Sequence, residues 1–486
     1  MNGSSDFVTL SNDKGLQFSV PADLFCISTF VLLEQGKWFE REVDFIYRFA
    51  KPGMVALDIG ANIGIYTLAL ASTLGASGKV FAYEPGSDNR RHLERSLQLN
   101  HFSNVSVSGS ALSNFCGPGM LKHGESGELH QLVTEPDEGD LIEVIEVSTM
   151  DAEFRRWLWP RIDFVKLDAE GQEESILEGG KEFFSRHSPL VMFEAVHGTV
   201  FNGRLLAMFR ELDFGLYRVV GDSSMLVPVA DDDVLDNFNL NYFAARPELA
   251  SRLAAAGLLA AKGGCTDLSD DERAMATDMY CALPLAESLE ISAGDVTSCP
   301  YSKALLAYAA YRFLPSLSPD RRYALLQASY AELTDFCQSS NSAAALSTLS
   351  RIARDCGFRV IGCDILNRLC ISDNLELNFP FFPPEAYIED CAAHDSGQWF
   401  HYVVRETFEK IRRYSVISTS ELDTFEFLAY HELATPAAIR RAILAKLVWG
   451  QDMSEVEPYF TRLTAVAGTA GVAWSDIVRS LAERRQ

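Results

Sequence analysis

The sequence predicts a doubly wound α/β domain in the first half of the chain and an all-α region in the second half. Short apolar strand segments alternate with helical segments from Met54 to about residue 212. Such alternation produces a mostly parallel sheet with right-handed crossover helices. Beyond Gly263 and Gly264, the apolar periodicity is helical almost to the end of the chain. A chain of 486 residues is too long for one ordinary domain. We therefore predict an N-terminal segment at 1–50, the α/β domain at 51–247 and the helical region at 265–486.

The elements of the first half are assigned in chain order. The N-terminal segment predicts short strands near 7–10 and 16–18 and a helix over 38–49. In the alternating region, the predicted strands are 54–58, 80–84, 105–108, 161–167 and 189–194. The predicted helices are 63–73, 87–99, 149–157, 172–185 and 199–212.

One stretch, from Gly117 to Val147, interrupts the alternation. It is acidic and rich in turn residues, with candidate strands at 129–133 and 141–147, and we interpret it as an inserted hairpin near the functional site. Two last strands, near 216–220 and 241–245, are expected to close the sheet as an antiparallel pair.

The second half contains ten segments of helical periodicity joined by short connections, which predicts stacked antiparallel pairs loosely like a tetratricopeptide array. No consistent period of about 34 residues supports a true repeat. The segments are 270–281, 302–314, 319–337, 343–356, 360–369, 399–414, 421–433, 437–449, 455–465 and 474–482.

Composition narrows the classes of partner. The formal net charge of −25 argues against binding to nucleic acid or to an anionic membrane, because phosphate binding needs basic clusters. The N-terminus lacks the basic start and apolar run of a signal peptide, and no apolar stretch approaches the roughly 20 residues of a membrane span. None of the ten cysteines forms a C-x-x-C pair. We expect a cytoplasmic protein without an integral membrane segment.

The turn after the first α/β strand predicts a nucleoside cofactor. It has the pattern Asp58-x-Gly60-x-x-x-Gly64, and the next strand ends in Glu84, whose carboxylate can accept both hydroxyls of a ribose. An acid at Asp58 would repel the pyrophosphate of NAD but suits the cationic sulfonium of S-adenosylmethionine. The expected cofactor-binding residues are Asp58, Gly60, Asn62, Gly64, Glu84, Ser110 and Ala111.

Residues 35 to 246 resemble the FkbM family of S-adenosylmethionine-dependent methyltransferases. The similar segments are LDIGANIGIYTLALA (57–71), GKVFAYEP (78–85), ALSN (111–114), IDFVKLDAEGQEESILEGG (162–180) and PLVMFEAV (189–196). The resemblance implies a class I methyltransferase fold, whose last strand is antiparallel. It also implies an O-methyltransferase that acts on a hydroxyl of a sugar, a lipid or a polyketide-like product. The helical second half lies outside the resemblance.

Acidic residues follow the later strands at the sheet edge where ligands of parallel sheets bind. Methyl transfer to a hydroxyl needs alignment and a proton acceptor. We expect Asp168 to be this base, Glu170 to share the role or bind a second hydroxyl, and His197 to be the alternative base. Glu194 is a candidate substrate-binding residue. Lys166 alternates with Asp168 along the strand, so we expect it to form an ion pair with a neighbouring acid.

Two alternatives remain open from the sequence. Asp168, Glu170 and Glu194 are candidate ligands for a divalent cation, but no spacing rule singles out a metal, so metal-independent catalysis is the default. The α/β domain is alternatively a catalytically silent scaffold whose helical half binds a protein partner. A silent scaffold would be expected to lose some of the acids and glycines of the site. All of them are present: Asp58, Gly60, Gly64, Glu84, Asp168 and Glu170. If the α/β domain is an enzyme, we expect the acceptor to be a hydroxyl group of a small molecule or a glycan.

Overall fold

The structure is a computed structural model. It describes residues 7–124, 130–197, 200–221, 225–229, 239–261, 263–372, 375–391, 398–412 and 422–483. Within these residues, no helix combines the length and the apolar character that a membrane span requires.

The N-terminal segment forms a hairpin followed by two helices. Strands β1 (Phe7–Ser11) and β2 (Gln17–Pro21) lie where the sequence predicted short strands, and they pair antiparallel. Helix α1 (Ile27–Gln35) was not predicted, because its apolar residues are nearly continuous and show little helical periodicity. Helix α2 (Arg41–Phe49) begins three residues later than the predicted helix.

The α/β domain confirms the predicted alternation. Its strands are β3 (Val55–Ile59), β4 (Lys79–Tyr83), β5 (Val105–Ser108), β6 (Ala111–Ser113), β7 (Gly117–Lys122), β8 (Gln131–Val133), β9 (Ile142–Thr149), β10 (Phe164–Leu167), β11 (Leu190–Glu194), β12 (Val196–His197), β13 (Val200–Phe201), β14 (Gly215–Val220), β15 (Met225–Pro228) and β16 (Asn241–Ala245). Its helices are α3 (Ile65–Leu74), α4 (Ser87–Leu99), α5 (Met150–Trp157), α6 (Glu173–Glu178), α7 (Lys181–Arg186), α8 (Gly203–Glu211) and α9 (Pro247–Ala255).

The main sheet has eight strands in the order β15-β14-β16-β11-β10-β3-β4-β5. Strands β5, β4, β3, β10 and β11 are parallel to their neighbours, and β16 is antiparallel to both β11 and β14. A parallel sheet closed by an antiparallel last strand between β11 and β14 is the class I methyltransferase arrangement, so the predicted fold class is confirmed. Strand β15, at the edge beyond β14, was not predicted.

The predicted insertion is more extensive than a hairpin. Strands β6, β9, β7 and β8 form a separate four-stranded sheet in that order, with β7 antiparallel to both β9 and β8. Strand β7 was missed because its Gly-Pro-Gly start is typical of a turn. The predicted helix over 172–185 is likewise divided at Gly179, where a Cβ atom would lie 2.3 Å from the carbonyl oxygen of Ser113.

The second half is helical throughout its described elements, apart from loops. The helices are α10 (Asp270–Cys281), α11 (Pro284–Ser288), α12 (Ala293–Ser298), α13 (Ser302–Phe313), α14 (Pro319–Ser339), α15 (Ala343–Asp355), α16 (Arg359–Cys370), α17 (Gln398–Arg412), α18 (Leu422–Tyr430), α19 (Pro436–Val448) and α20 (Met453–Glu483), with a 3₁₀ helix at Ala386–Asp390. Helix α20 spans both of the last two predicted helices and kinks at Gly468.

Two hydrophobic cores cross the predicted boundary between the α/β domain and the helical region. One core joins the N-terminal segment and one face of the main sheet to residues of α18, α19 and α20. The other joins the β14–β15 edge to residues of α10, α13, α14 and α15. The other face of the main sheet is covered by a third core within the α/β domain. The positions of the domain boundaries stay a prediction. The two shared cores show that the α/β domain and the helical region pack against each other.

A buried ion network fixes the N-terminal segment against the helical region. The guanidinium of Arg441 on α19 pairs with Glu34 on α1 and, at 2.8 Å, with Glu406 on α17. All three side chains are buried. The indole N–H of Trp474 on α20 also donates to the carbonyl oxygen of Leu33, at 2.8 Å. Because a buried charge is costly unless it is paired, this network specifies how α1 meets the helical region.

We expect Arg441→Met to lower the free energy of unfolding by about 3–5 kcal/mol, because Glu34 and Glu406 would lose their shared cation while staying buried. Arg479→Met is the matched control. It removes an ion pair with Glu457 whose side chains are 34% and 55% exposed, and it should cost about 0–1 kcal/mol. Urea denaturation followed by circular dichroism measures both. Equal midpoints for the two variants would show that the buried network is dispensable.

Candidate active site

The turn between β3 and α3 contacts the end of β10. Gly60 has a φ of 77°, and a Cβ atom there would lie 1.6 Å from the carbonyl oxygen of Asp168. The N–H groups of Gly60 and Ala61 both donate to the carbonyl oxygen of Tyr83, each at 3.0 Å. Only glycine permits this approach. The turn predicted to bind the cofactor is therefore in contact with the loop predicted to carry the base.

Glu84 lies directly after β4, beside this turn. Its two carboxylate oxygens accept the backbone N–H groups of Asn62 and Gly86, each at 2.8 Å. The side chain is only 5% exposed, and burial raises its pKa to about 7. Each oxygen keeps an acceptor position beyond the bond that it makes. The carboxylate is thus held rigidly at the place where the sequence predicts ribose binding.

The inserted sheet packs beside Glu84. A Cβ atom on Gly86 would lie 2.8 Å from the Nδ1 atom of His130, and Glu143 accepts the backbone N–H of Ser87 at 3.2 Å. Residues from β9 and from the start of β8 therefore border the ribose end of the predicted cofactor site. This agrees with the expectation that the insertion lies near the functional site.

Asp58 lies beneath the turn. Its side chain is fully buried, with Oδ2 accepting the Thr67 hydroxyl at 2.5 Å. None of the described residues donates a hydrogen bond to Oδ1, which lies 3.9 Å from the ammonium of Lys166. Burial raises the pKa of Asp58, while Lys166 and Thr67 oppose that rise. In this structure Asp58 supports the turn from below.

Lys166 is the central cation of the site. Its ammonium lies 2.8 Å from Oδ2 of Asp168 and 3.2 Å from the carbonyl oxygen of Gly60. It also lies 5.1 Å from the centre of the Tyr66 ring. Burial opposes its charge, but the neighbouring carboxylates outweigh burial and raise its pKa above the usual value. The predicted ion pair between Lys166 and a neighbouring acid is confirmed.

Three of the predicted acids come together at the carboxyl ends of β10 and β11. Asp168, Glu170 and Glu194 each offer an oxygen atom, and these atoms lie within 4.8 Å of one another. Burial raises the pKa of Glu194 to about 10, and the charges of Asp168 and Glu170 add to that effect. Burial and the neighbouring carboxylates therefore favour the protonated form of Glu194. Such a cluster also matches the oxygen ligands of a divalent cation, but Lys166 already supplies a positive charge to it.

Glu173, which the sequence analysis missed, shapes the loop that carries Glu170. Its carboxylate accepts the N–H groups of Ala169 at 2.8 Å and of Gly171 at 3.3 Å. The loop needs this support because Glu170 has a φ of 50°, which is uncommon for a residue with a side chain. The signal was present in the sequence, since Glu173 begins α6 and acids at that position often cap a helix N-terminus.

A second missed group comes from the N-terminal segment. Glu40 accepts hydrogen bonds from the Tyr66 hydroxyl at 2.6 Å, the Trp38 indole at 2.7 Å and the Asn241 amide at 2.8 Å. Asn241 starts β16, where it is paired in register with Glu194 of β11. Nothing in the local sequence indicates that residues 40, 66 and 241 meet.

The remaining predicted site residues are Ser110, Ala111, Gly64 and His197. Ser110 and Ala111 are buried after β5, and Gly64 precedes α3, where a Cβ atom would lie 2.6 Å from the Leu93 side chain. The backbone of His197 lies in β12, but its side chain is outside the described part of the structure. Its role as the alternative base remains a prediction.

We expect Gly60→Ala to destabilise the protein more than Gly15→Ala. The two residues have nearly the same positive φ, 77° and 78°, but a Cβ atom on Gly15 meets nothing within 4 Å. The control should cost about 1 kcal/mol for the backbone alone, and Gly60→Ala should cost at least about 2 kcal/mol more because the loop at Asp168 must move. Thermal unfolding measures the difference. Equal losses would mean that the close contact with Asp168 is not needed.

A protein-family model matches a segment within the α/β part of the chain. Residues 58–216 match the sequence model of the methyltransferase FkbM domain. No curated protein sequence matches the chain.

Several solved structures are similar to parts of the chain. Methyltransferase FkbM from Methylobacillus flagellatus KT is 19% identical, with 40% of this chain and 44% of that one covered and a TM-score of 0.28. A SAM-dependent methyltransferase from Aquifex aeolicus is 15% identical over 46% of this chain and 96% of that one, with a TM-score of 0.26. A methyltransferase from Streptococcus mutans in complex with SAH is 11% identical, over 42% and 94%, with a TM-score of 0.26. The chain thus spans less than half of the FkbM protein from Methylobacillus flagellatus KT.

Proposed function

We propose that the FkbM methyltransferase domain at residues 58–216 transfers a methyl group from S-adenosylmethionine to a hydroxyl of a sugar, a glycolipid or a polyketide-like acceptor. One observation carries the proposal: Asp168, Glu170 and Glu194 cluster beside the glycine turn. An O-directed transfer needs a proton acceptor beside the reacting hydroxyl, whereas the methyl donor needs alignment. A sheet needs no such cluster for stability, so its presence supports an enzyme over a silent scaffold.

The residues of the site fit S-adenosylmethionine. Glu84 is placed to accept the ribose hydroxyls, and the backbone at Gly60 and Asn62 borders the same space. The unsatisfied Oδ1 atom of Asp58 and the acid cluster give this edge of the sheet a negative character. When bound, the cofactor supplies a methyl group activated by a cationic sulfonium, which that negative character favours.

The chain's own groups divide the remaining work. Lys166 orients the Asp168 carboxylate, which takes the hydroxyl proton of the acceptor as the methyl group is transferred. The protonated form of Glu194, which burial and the neighbouring carboxylates favour, donates a hydrogen bond within the cluster and prevents two adjacent negative charges. Glu170 binds a second acceptor hydroxyl, and Glu173 holds its loop in place. His197 is the second candidate for the base.

The first test uses adenosine, which has no group that titrates between pH 6 and 8. A carboxylate accepts hydrogen bonds from both ribose hydroxyls, and protonation removes one acceptor. Because the pKa of Glu84 is raised to about 7, we expect adenosine to bind more tightly as the pH rises through 7. The affinity should fall about tenfold in total between pH 8 and pH 5 and level off there, because protonated Glu84 keeps one acceptor. Glu84→Gln should weaken binding about tenfold at pH 8 and remove the pH dependence.

Isothermal titration calorimetry measures these affinities. Glu94→Gln, an exposed glutamate on α4, is the matched control and should behave as the parent protein does. S-adenosylmethionine should also give binding heat, and NAD should give none. Heat from NAD alone, or unchanged adenosine affinity in Glu84→Gln, would refute the cofactor assignment.

The second test separates the base from the cofactor site. Asp168→Asn keeps the shape of the side chain but cannot accept the proton, so methyl transfer should fall by about a hundredfold or more. Affinity for S-adenosylhomocysteine should stay within about twofold, because Glu84 and the turn are untouched. The measurement is transfer of radiolabelled methyl from S-adenosylmethionine into the glycan and small-molecule fractions of a cell extract. Asp88→Asn, in an exposed ion pair with Arg91, is the control. An unchanged rate in Asp168→Asn would exclude Asp168 as the base.

A further inference from the structure

A large cleft lies where the N-terminal segment, the α/β domain and the helical region meet. Its empty volume is about 1540 Å³ with open solvent included, which exceeds the space that one monosaccharide needs. Residues 35–44, except Gly36 and Val43, form one wall, and Val219, Gly221 and 239–241 form another. The helical region supplies Arg354, Gly357, Arg359, Glu385, Lys410 and Ile411.

The cleft adjoins the acid cluster of the candidate active site. Glu40 and Asn241 both line it and are hydrogen-bonded to each other at 2.8 Å. Asn241 is the register partner of Glu194, and Glu40 also accepts the hydroxyl of Tyr66, whose ring faces Lys166. One end of the cleft is therefore lined by side chains that contact neighbours of the acid cluster.

The charge of the cleft differs from that of the whole chain. The protein carries a net charge of −25, yet the five cationic side chains that line this cavity outnumber its four acidic ones. The five cations are Lys37, Arg41, Arg354, Arg359 and Lys410. Helix α16 also begins at Arg359, so the positive end of its dipole lies at the cleft.

Of the four acids of the cleft, Glu385 belongs to the helical wall and offsets one of the three cations there, whereas Glu40, Glu42 and Asp44 lie on the opposite wall. Glu385 lies 2.9 Å from Arg354 and 3.1 Å from Lys410, and these cations lower its pKa to about 2 despite burial. On the opposite wall, burial and the neighbouring charge of Glu40 raise the pKa of Glu42 to about 8, so it is mostly neutral at pH 7. The helical wall is thus the cationic side, and the wall at Asn241 is the side nearest the catalytic acids.

The other groups of the lining are suited to a polyhydroxylated ring. Gln35, Asn239 and Asn241 provide amides that both donate and accept hydrogen bonds. Trp38 and Phe39 add two aromatic rings whose centroids are 4.8 Å apart. Amides with aromatic surface bind a sugar, and cations beside them bind an acidic substituent.

We infer that this cleft holds the methyl acceptor and that the acceptor is a sugar bearing an anionic group, either a carboxylate or a phosphate. The inference rests on the proposed methyl transfer and extends it to the class of acceptor. The anionic group binds at the helical wall beside Arg359 and Lys410. The hydroxyl to be methylated lies at the other end, past Asn241 and next to Asp168 and Glu194. The helical region thereby acts as a substrate-binding wall.

Saturation-transfer difference NMR on the full chain tests the inference, because the method detects weak ligands of a 53.8 kDa protein. The probes are glucuronic acid, glucose 6-phosphate and glucose. We expect a signal from one or both charged sugars and about fivefold less from glucose. A response to glucuronic acid alone identifies a carboxylate, and a response to glucose 6-phosphate alone identifies a phosphate. Equal signals from all three, or no signal from either charged sugar, would overturn the inference.

Two variants test the location. Arg359→Gln and Lys410→Gln should each reduce the charged-sugar signal about fivefold or more. Lys303→Gln, which removes an exposed lysine of α13 paired with Glu332, should leave it unchanged. Thermal unfolding verifies that each variant is folded. Signals unaffected by both cleft variants would overturn the location.

The same samples separate this inference from the proposed function. S-adenosylhomocysteine should give a signal in the parent protein and in all three variants, because none of the substituted residues lies near Glu84. Binding of S-adenosylhomocysteine without binding of a charged sugar refutes only the inference about the acceptor. Absence of S-adenosylhomocysteine binding refutes the proposed function itself.

Discussion

The buried ammonium of Lys166 is the interaction on which the site depends. It joins two segments that are distant in sequence: β3 and its following turn, through Asp58 and Gly60, and the end of β10, through Asp168. The parallel pairing of β3 with β10 brings them together, since Lys166 is the register partner of Asp58. Asp58 and Asp168 share the stabilisation of this buried cation. Lys166 therefore joins the turn proposed to bind the cofactor to the loop proposed to carry the base.

The sequence predicted the elements that depend on local pattern. Buried parallel strands are short apolar runs, and helix α4 is clearly amphipathic, so their bounds agree closely with the structure. The acids at the ends of β4, β10 and β11 were found because the chain order of a parallel sheet places its carboxyl ends on one edge. That topology places Asp168, Glu170 and Glu194 on one edge, and the loop held by Glu173 completes their approach to within 4.8 Å.

What the sequence did not predict depends on distant contacts. Glu40 enters the site only because α2 packs beside the main sheet, and its bonds to Tyr66 and Asn241 span 26 and 201 positions. The cationic wall of the cleft has the same origin. Arg359 and Lys410 lie on different helices of a region that does not resemble the family. The sequence around each of them predicts only a solvent-exposed charge. Packing between the halves, which local patterns cannot indicate, gives these residues their place.

The opposite charges at the two ends of the cleft have a consequence for the order of events. The acid cluster attracts a sulfonium, and methyl transfer converts that cation into a neutral thioether, so the attraction between the cluster and the spent cofactor is lost. An anionic acceptor keeps its charge during the reaction and stays attracted to the helical wall. A methylated product is therefore held by the cations at Arg359 and Lys410 after the spent cofactor has lost its electrostatic hold. Under the proposed function, an anionic product is therefore expected to leave more slowly than the spent cofactor, and substitutions in the cationic wall should change that rate.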